Sequence, residues 1–478
     1  MLESELIKLI EDIQLKKTES NYIEVKSARN GCPKIFDTLS SFSNQQNGGT
    51  IIFGVDENDD YNVCGVYDAA DLQKKIMEQS LQMEPVVRPL CTVAVVDGKT
   101  VVSAEIQEMD NFHKPCFYKG AGRLRGSYVR VADGDRLMTE YEVYSYEAFK
   151  LDIHDELRTN DRAEMTDINT DEYQLYLLEL KKNKPHLAKL EEKEINRLQG
   201  FVVDNKPTIA ALMLFSVYPQ AYFPQLCITA VSVPGKEMSA TGSVGERFID
   251  NKRIEGSITQ MLNDALIFVR KNMKVKTIID SETGMRNDRT EYPVIAVREL
   301  VLNALIHRDY SIHTESAPIT ITMYSDRMEI ENPGGLYGRM TLDSLGFVSA
   351  DTRNPYIAGA LEIMGETENR YSGIPTIRSA MKNAGLPQPV FVNNRGVFKA
   401  ILYNEIVSEK GNSDLASRIL DFCIVPRSRK ELEEKFKEEI TIAYLMSKHM
   451  KPLIAENKIA LTKPESPKSK DQKYYTVK

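Results

Sequence analysis

The chain has 478 residues, 42% of them hydrophobic and 27% charged, enough for about three domains with cores of their own. Its formal net charge of -8 excludes a protein that coats nucleic acid through uniform basicity and leaves local basic patches as the electrostatic route to DNA. No apolar run is long enough to span a membrane, the first residues lack the pattern of a secretory signal, and six scattered cysteines without pairing or metal-ligand spacing point to a reduced, cytoplasmic setting.

Leu2 to Leu15 carries the periodicity of a short amphipathic helix. In Glu19-Ser-Asn-Tyr-Ile-Glu-Val-Lys26, strand alternation puts Ile23 and Val25 on one face and Glu24 and Lys26 on the other. Ile35, Phe36, Leu39 and Phe42 mark a core-facing helix that stops near Asn47-Gly-Gly49, where a glycine supplies positive φ. Thr50 to Asp56 reads as a buried strand that delivers Asp56 at its end, and Asp97-Gly98 between two valine-rich runs signals a hairpin. In Arg123-Leu-Arg-Gly-Ser-Tyr-Val-Arg130, cations alternate with apolar or aromatic residues. Arg123, Arg125 and Arg130 are candidates to contact phosphates beside the stacking face of Tyr128, or to play a structural part in a sheet. This first domain closes near residue 155.

Between 156 and 290 the chain reads as a connector without chemistry of its own. Tyr173, Tyr176, Leu177 and Leu180 predict a helix, Pro207 to Val217 and Leu226 to Val233 predict strands, and Ile258 to Val269 predicts another helix.

The stretch from Val297 to Leu305 has the three-and-four apolar spacing of a half-buried helix, with Glu299, Asn303 and His307 about one turn apart on a neighbouring strip. A carboxylate suits removal of a proton from an attacking water, and an amide oxygen suits Mg²⁺, so Glu299 and Asn303 fit those two tasks. Ile319 to Met323 and Met328 to Ile330 predict paired strands running into the turn Glu331-Asn-Pro-Gly-Gly-Leu336. Arg353-Asn-Pro355 and Tyr371-Ser-Gly-Ile374 follow, each ahead of a helical pattern.

From Asn412 the pattern changes to short helices. Leu415 to Phe422 forms one, a capping box at Ser428-Arg-Lys-Glu431 starts a second, and Ile442 to His449 makes a third. Ile459 to Thr462 and Tyr474 to Val477 flank a lysine-rich loop, so 412–478 has the parts of a winged helix, with Lys448, Lys451, Lys463, Lys468 and Lys470 as candidate phosphate contacts.

The ordered set from Glu299 and Asn303 through His307-Arg-Asp-Tyr310, Asn332-Pro-Gly-Gly-Leu336, Arg353-Asn-Pro355, Ser372-Gly-Ile374 and Gly385-Leu-Pro-Gln-Pro389 resembles the divergent GHKL-type ATPase module of gyrase, MutL and histidine kinases. It resembles more closely the bacterial transcriptional regulators that carry this module behind a Schlafen-type, AlbA-like domain. The resemblance implies an α+β multidomain chain: an AlbA-like α/β domain over 1–155, the connector over 156–290, a GHKL-like α/β sandwich over 291–408 and the winged helix over 412–478. It implies ATP with Mg²⁺ at Glu299 as base and Asn303 as metal ligand, with His307, Arg308 and Asp309 at the same mouth, Asp309 alternatively capping the helix end or pairing with an arginine. Glu331 stands where an adenine-binding aspartate is usual, Gly334 and Gly335 allow close backbone approach, and Arg353, Arg370, Ser372 and Gly373 lie toward the phosphates. The implied function is a DNA-binding, nucleotide-sensing regulator, a weak ATPase at most, acting as a homodimer. The alternatives are a metal-dependent Schlafen-type nuclease built on Glu19, Glu24 and Asp56, and a scaffold with a degenerate nucleotide site.

Overall fold

The architecture comes from a computed structural model that describes residues 1–132, 134–242, 245–279, 286–348, 351–367, 372–394, 396–404, 418–420, 422–436, 442–455, 458–463 and 472–476. The chain divides into one unit over Met1–Asn404 and a second over Glu405–Lys478. No helix among the described residues is long and apolar enough to cross a membrane.

In the amino-terminal part, the strand Ile23–Lys26 pairs in parallel with Gly49–Phe53, which pairs antiparallel with Lys99–Ile106 and through it with Leu90–Val96. A parallel pair needs a crossover, supplied here by the helix Phe36–Asn44. Alternation splits the central strand between two cores. Ile51 and Phe53 pack with Leu39 and Phe42 of the crossover helix, whereas Ile52 packs with Leu6, Ile10 and Ile13 of the first helix, Glu3–Lys16. Asp97 and Gly98 both take positive φ, 51° and 74°, and close the expected two-residue hairpin.

Arg123–Gly126 forms a helical turn, and strand structure begins at Tyr128. One expectation changes here. The apolar run after Thr208 is the helix Ile209–Phe215, not a strand. Every residue of that helix is buried, so no polar face marks its period, and its beginning shows only in Thr208, whose hydroxyl accepts the Ala211 N–H at 3.3 Å.

The rest of the first unit is built on a six-stranded mixed sheet in the order Asp250–Ile254, Ile228–Ser232, Ile319–Met323, Arg327–Pro333, Val397–Tyr403, Val390–Asn394. Its first two strands come from the stretch set apart above as a connector, because Ile228–Ser232 pairs in parallel with Ile319–Met323. The expected pair Ile319–Met323 and Arg327–Pro333 is antiparallel. The helices Ile258–Asn272 and Gly373–Asn383 pack on either side of Val294–His307, which lies over the sheet through Ala296, Val297, Leu300, Val301, Ala304 and Leu305. A helix so apolar is held by packing against sheet and neighbours more than by intrinsic propensity.

In the second unit, Arg427–Ser428, Lys473–Thr476 and Ile459–Leu461 form a three-stranded antiparallel sheet. The helix Arg429–Phe436, a helical stretch through Leu445–Met450 and the helix Lys451–Ala455 surround a core that includes Leu432, Phe436, Leu445, Met450 and Ile459. The capping box is formed: Glu431 accepts the Ser428 N–H at 2.8 Å and donates its own N–H to the Ser428 hydroxyl at 3.3 Å.

Candidate functional site

The polar strip on Val294–His307 faces a cavity of about 570 Å³ whose lining includes Glu299, Asn303 and His307 from the helix, Asn332, Gly334 and Gly335 from the sheet edge, and Ser372 and Gly373 from the start of the next helix. Gly373 opens Gly373–Asn383, and the residue before it, Ser372, gives the helix no side-chain cap. A β-carbon at 373 would stand 3.0 Å from the Asn303 amide nitrogen and 3.2 Å from a Glu299 carboxylate oxygen. Glycine therefore lets the start of this helix approach the polar strip more closely than any other residue would, and its positive N-terminal end lies beside the Glu299 carboxylate and the Asn303 amide. Arg298 flanks this space: its guanidinium donates to the Glu366 carbonyl and carboxylate at 2.9 and 2.7 Å and lies 3.6 Å from Glu299. Burial, with Arg353 nearby, pushes the His307 imidazole down to about 4, so this ring is neutral at pH 7 and offers one donor and one acceptor.

Glu331 does not enter the cavity. Along Arg327–Pro333, alternation sends Met328, Ile330 and Asn332 to the helix-covered side and Arg327, Glu329 and Glu331 to the other, where Lys399 meets Glu329 at 2.9 Å and Glu331 at 2.5 Å. Asn332 occupies the position expected of Glu331. It is 5% exposed and lines the cavity, and its side-chain oxygen is buried without a hydrogen-bond partner. A buried amide left unpaired costs about 1–3 kcal/mol, the usual sign of a group reserved for a ligand or ordered water. The signal was present as Met328-x-Ile330-x-Asn332, an apolar alternation ending in an amide.

Asp309 and Arg353 lie behind the cavity, 1% and 7% exposed, paired with each other as one of the readings of Asp309 required, and Arg308, expected at the same mouth, is instead buried with its guanidinium donating to the Thr314 and Ala317 carbonyls. Burial pushes the Asp309 carboxyl up, but Arg353, Tyr141 and Ser311 outweigh it and hold the group below the ordinary carboxylate range. Asp309 also braces the glycine turn: its N–H donates to the Pro333 carbonyl at 2.9 Å, and a β-carbon at Gly334, where φ is +106°, would come within 2.7 Å of the Asp309 β-carbon. Arg370 and Tyr371 lie outside the described residues.

A second polar feature holds the helix Pro355–Ile363. Glu156, fully buried, accepts the N–H groups of Tyr356 at 2.9 Å and Ile357 at 2.8 Å in its first turn. Burial pushes the carboxyl up to about 7 against two donors that favour its charged form. A folded pKa above the unfolded one means that the native state holds the extra proton, so the contribution of Glu156 to stability is fully present below about pH 4.5 and is lost as pH rises through about 7. Stability profiles of wild type and Glu156→Gln from pH 5 to 8 should diverge by up to about 3 kcal/mol in total, the wild type declining more steeply up to about pH 7 and the two running parallel above it. Parallel profiles would refute this assignment.

The acidic trio in the amino-terminal part does not converge. Glu19 and Glu24 turn inward onto Arg130, at 3.4 and 2.8 Å, and Asp135 completes the cluster at 3.2 Å. Asp56 instead accepts the Asn58 N–H and pairs with Arg29 at 3.4 Å. Among the described residues no group of three or more His, Cys, Asp or Glu side chains could hold a metal ion. The Arg130 side chain is 1% exposed, which removes it from the phosphate contacts and assigns it the structural alternative. Arg123 pairs with Glu147, and Arg125 remains exposed. Lys451 and Lys463 are exposed in the second unit, while the side chain of Lys448 and residues Lys468 and Lys470 lie outside the described set.

Two stretches match known families. Residues 19–139 match the family described as Schlafen, AlbA_2, and residues 316–402 match the family described as Putative ATP-dependent DNA helicase recG C-terminal. Among solved structures, the DIP2311 protein from Corynebacterium diphtheriae is 18% identical, covers 90% of this chain and 89% of its own, and superposes with a TM-score of 0.40. The N-terminal domain of a putative ATP-dependent DNA helicase RecG-related protein from Nitrosomonas europaea is 26% identical over 28% of this chain and 95% of its own, with a TM-score of 0.23. No curated protein matches. The chain thus joins a Schlafen-type AlbA_2 domain to an ATPase-like domain of the recG C-terminal kind.

Proposed function

We propose that this protein is a nucleotide-responsive regulator acting on DNA, with ATP and Mg²⁺ taken by the cavity over Val294–His307. The observation that carries this reading is the convergence on one cavity of an amide and a carboxylate on one helix, the N-terminus of a second helix that glycine brings close to them, and an orphaned buried amide. The residues fit the group. Asn303 is a hard oxygen donor for Mg²⁺, Glu299 is placed to orient a water, the N-terminus at Gly373 suits phosphates, and Asn332 can offer both donor and acceptor to a base edge. Nucleic-acid contact is supported by the AlbA_2 match and by the helices, three-stranded sheet and exposed Lys451 and Lys463 of the second unit, the parts of a winged helix.

Calorimetry of the full chain with ATP and Mg²⁺ tests the nucleotide half: saturable heat is expected, and its absence overturns the reading. Retardation of duplex DNA by the same chain tests the other half. Lys451→Glu with Lys463→Glu should weaken it across sequences and lower the salt slope by about one per lost phosphate contact. An unchanged slope removes the second unit from the interface.

A further inference from the structure

The turn Gly334 to Gly338 lines the cavity through Gly334, Gly335, Leu336 and Tyr337, and it is fastened, in part through Asp309 and Arg353, by residues that precede the six-stranded sheet in the chain. Tyr141, in the first turn of the helix Glu140–Lys150, donates its hydroxyl to Asp309 at 2.7 Å. Asp309 pairs with Arg353, whose other terminal nitrogen donates to the Gly335 carbonyl at 3.1 Å and whose guanidinium lies 4.9 Å from the centre of the Tyr337 ring. Tyr337 meets Phe149, at the end of the same helix, edge-to-face at 5.4 Å, and the Asn111 amide donates to the Gly338 carbonyl at 2.7 Å. The Tyr141 ring also fills the place of a β-carbon at Gly396, which would fall 2.3 Å from it, and the Gly396 carbonyl accepts the Gly334 N–H.

The wall of the cavity and the seat of the amino-terminal part are therefore one hydrogen-bonded and packed assembly. Glu140–Lys150 itself lines no part of the cavity. Packed cores of this kind rearrange between discrete states, so a ligand that fixes the turn also fixes whatever the turn is bonded to.

Building on the nucleotide reading above, we infer that Tyr141, Asp309 and Arg353 form a coupling latch that ties the state of the Gly334–Gly338 turn to the seating of the AlbA-like part. Nucleotide in the cavity and nucleic acid on the AlbA-like part then influence each other through this latch, and by linkage the influence is reciprocal. Tyr141 acts as a positioning residue, through Asp309, without touching the ligand.

Hydrogen exchange of the full chain tests the latch directly. Without nucleotide, Tyr141→Phe keeps the ring against Gly396 and loses only a hydrogen bond to a charged group, so amides at 334–338 should exchange about ten- to a hundredfold faster than in wild type. Asn111→Ala, which cuts the second tether while leaving the core intact, should speed the same amides. With ATP and Mg²⁺ added, wild type should gain protection at 140–150 as well as at 294–307 and 373–383, and Tyr141→Phe should keep the second and third while losing the first. Equal exchange at 334–338 in all three proteins without nucleotide, or survival of the protection at 140–150 in Tyr141→Phe, overturns the proposal. If ATP protects nothing in any protein, the nucleotide reading falls, and the comparison without nucleotide still decides the latch.

Discussion

Arg130→Met is expected to destabilise the amino-terminal part by about 3–5 kcal/mol, the cost of removing one partner from a buried ionic cluster. The wild-type guanidinium stands among Glu24, Asp135 and Glu19 at 2.8, 3.2 and 3.4 Å, all four side chains nearly closed to solvent. Asp135 is held further by the hydroxyls of Thr38 at 2.7 Å and Ser41 at 2.5 Å, and Lys26 is the other cation in contact, through Glu24. Without Arg130, three carboxylates share one lysine in a medium that disfavours charge. They bind protons instead, so the loss is largest at high pH and shrinks on acidification. Glu19 already shows the tendency: burial raises it to about 7 in the intact cluster. Urea melts of the full chain at pH 6 and pH 8 check both magnitude and sign, and a variant within about 1 kcal/mol of wild type at pH 8 would show that the cluster is solvated. The same geometry predicts that the chain with Mn²⁺ does not cut labelled RNA or DNA through Glu19, Glu24 and Asp56, because the Arg130 guanidinium engages the first two and Asp56 pairs elsewhere, with Arg29.

That cluster also shows where sequence reasoning ran out. Glu24 and Arg130 were visible as charged residues on strands, but a strand shows only which of two faces a side chain takes, and what covers that face is decided by the helix Phe36–Asn44 and the Tyr128–Val131 strand, distant in the chain. Helical spacing was enough for Glu299, Asn303 and His307, since three residues a turn apart share a face whatever packs beside them. The turn after Ile330 was legible as a turn, yet comparison by motif selected Glu331, whereas the two-residue period of the preceding strand selects Asn332. For the Ile209–Phe215 helix no periodic signal existed, because all its sides are buried. The docking of Tyr141 and Phe149 onto the glycine turn had no local signature, since each is an ordinary aromatic on an amphipathic helix until the fold brings residue 337 to it.

Asn303→Leu should cost at least about 10- to 100-fold in ATP affinity with Mg²⁺ present, the range seen when even an outer-shell partner of a metal is lost, and almost nothing when Mg²⁺ is chelated. Leucine matches asparagine in shape and the site is half-buried, so the fold should tolerate it. Asn332→Leu carries a different signature. Here the unpaired amide oxygen is buried in the free protein, so its removal should raise stability by about 1–3 kcal/mol while weakening ATP binding whether or not Mg²⁺ is present. Calorimetry in Mg²⁺ and in EDTA, set beside thermal melts, separates the two side chains: one loses affinity only with the metal, the other loses it throughout and melts later. A purely structural role for Asn332 would lower stability and affinity together, and an Asn303 variant equally weakened in EDTA would take the metal away from that side chain. The opposed signs at 332 are what a group kept unsatisfied for a ligand produces, because the energy withheld from folding is available only when the cavity is filled.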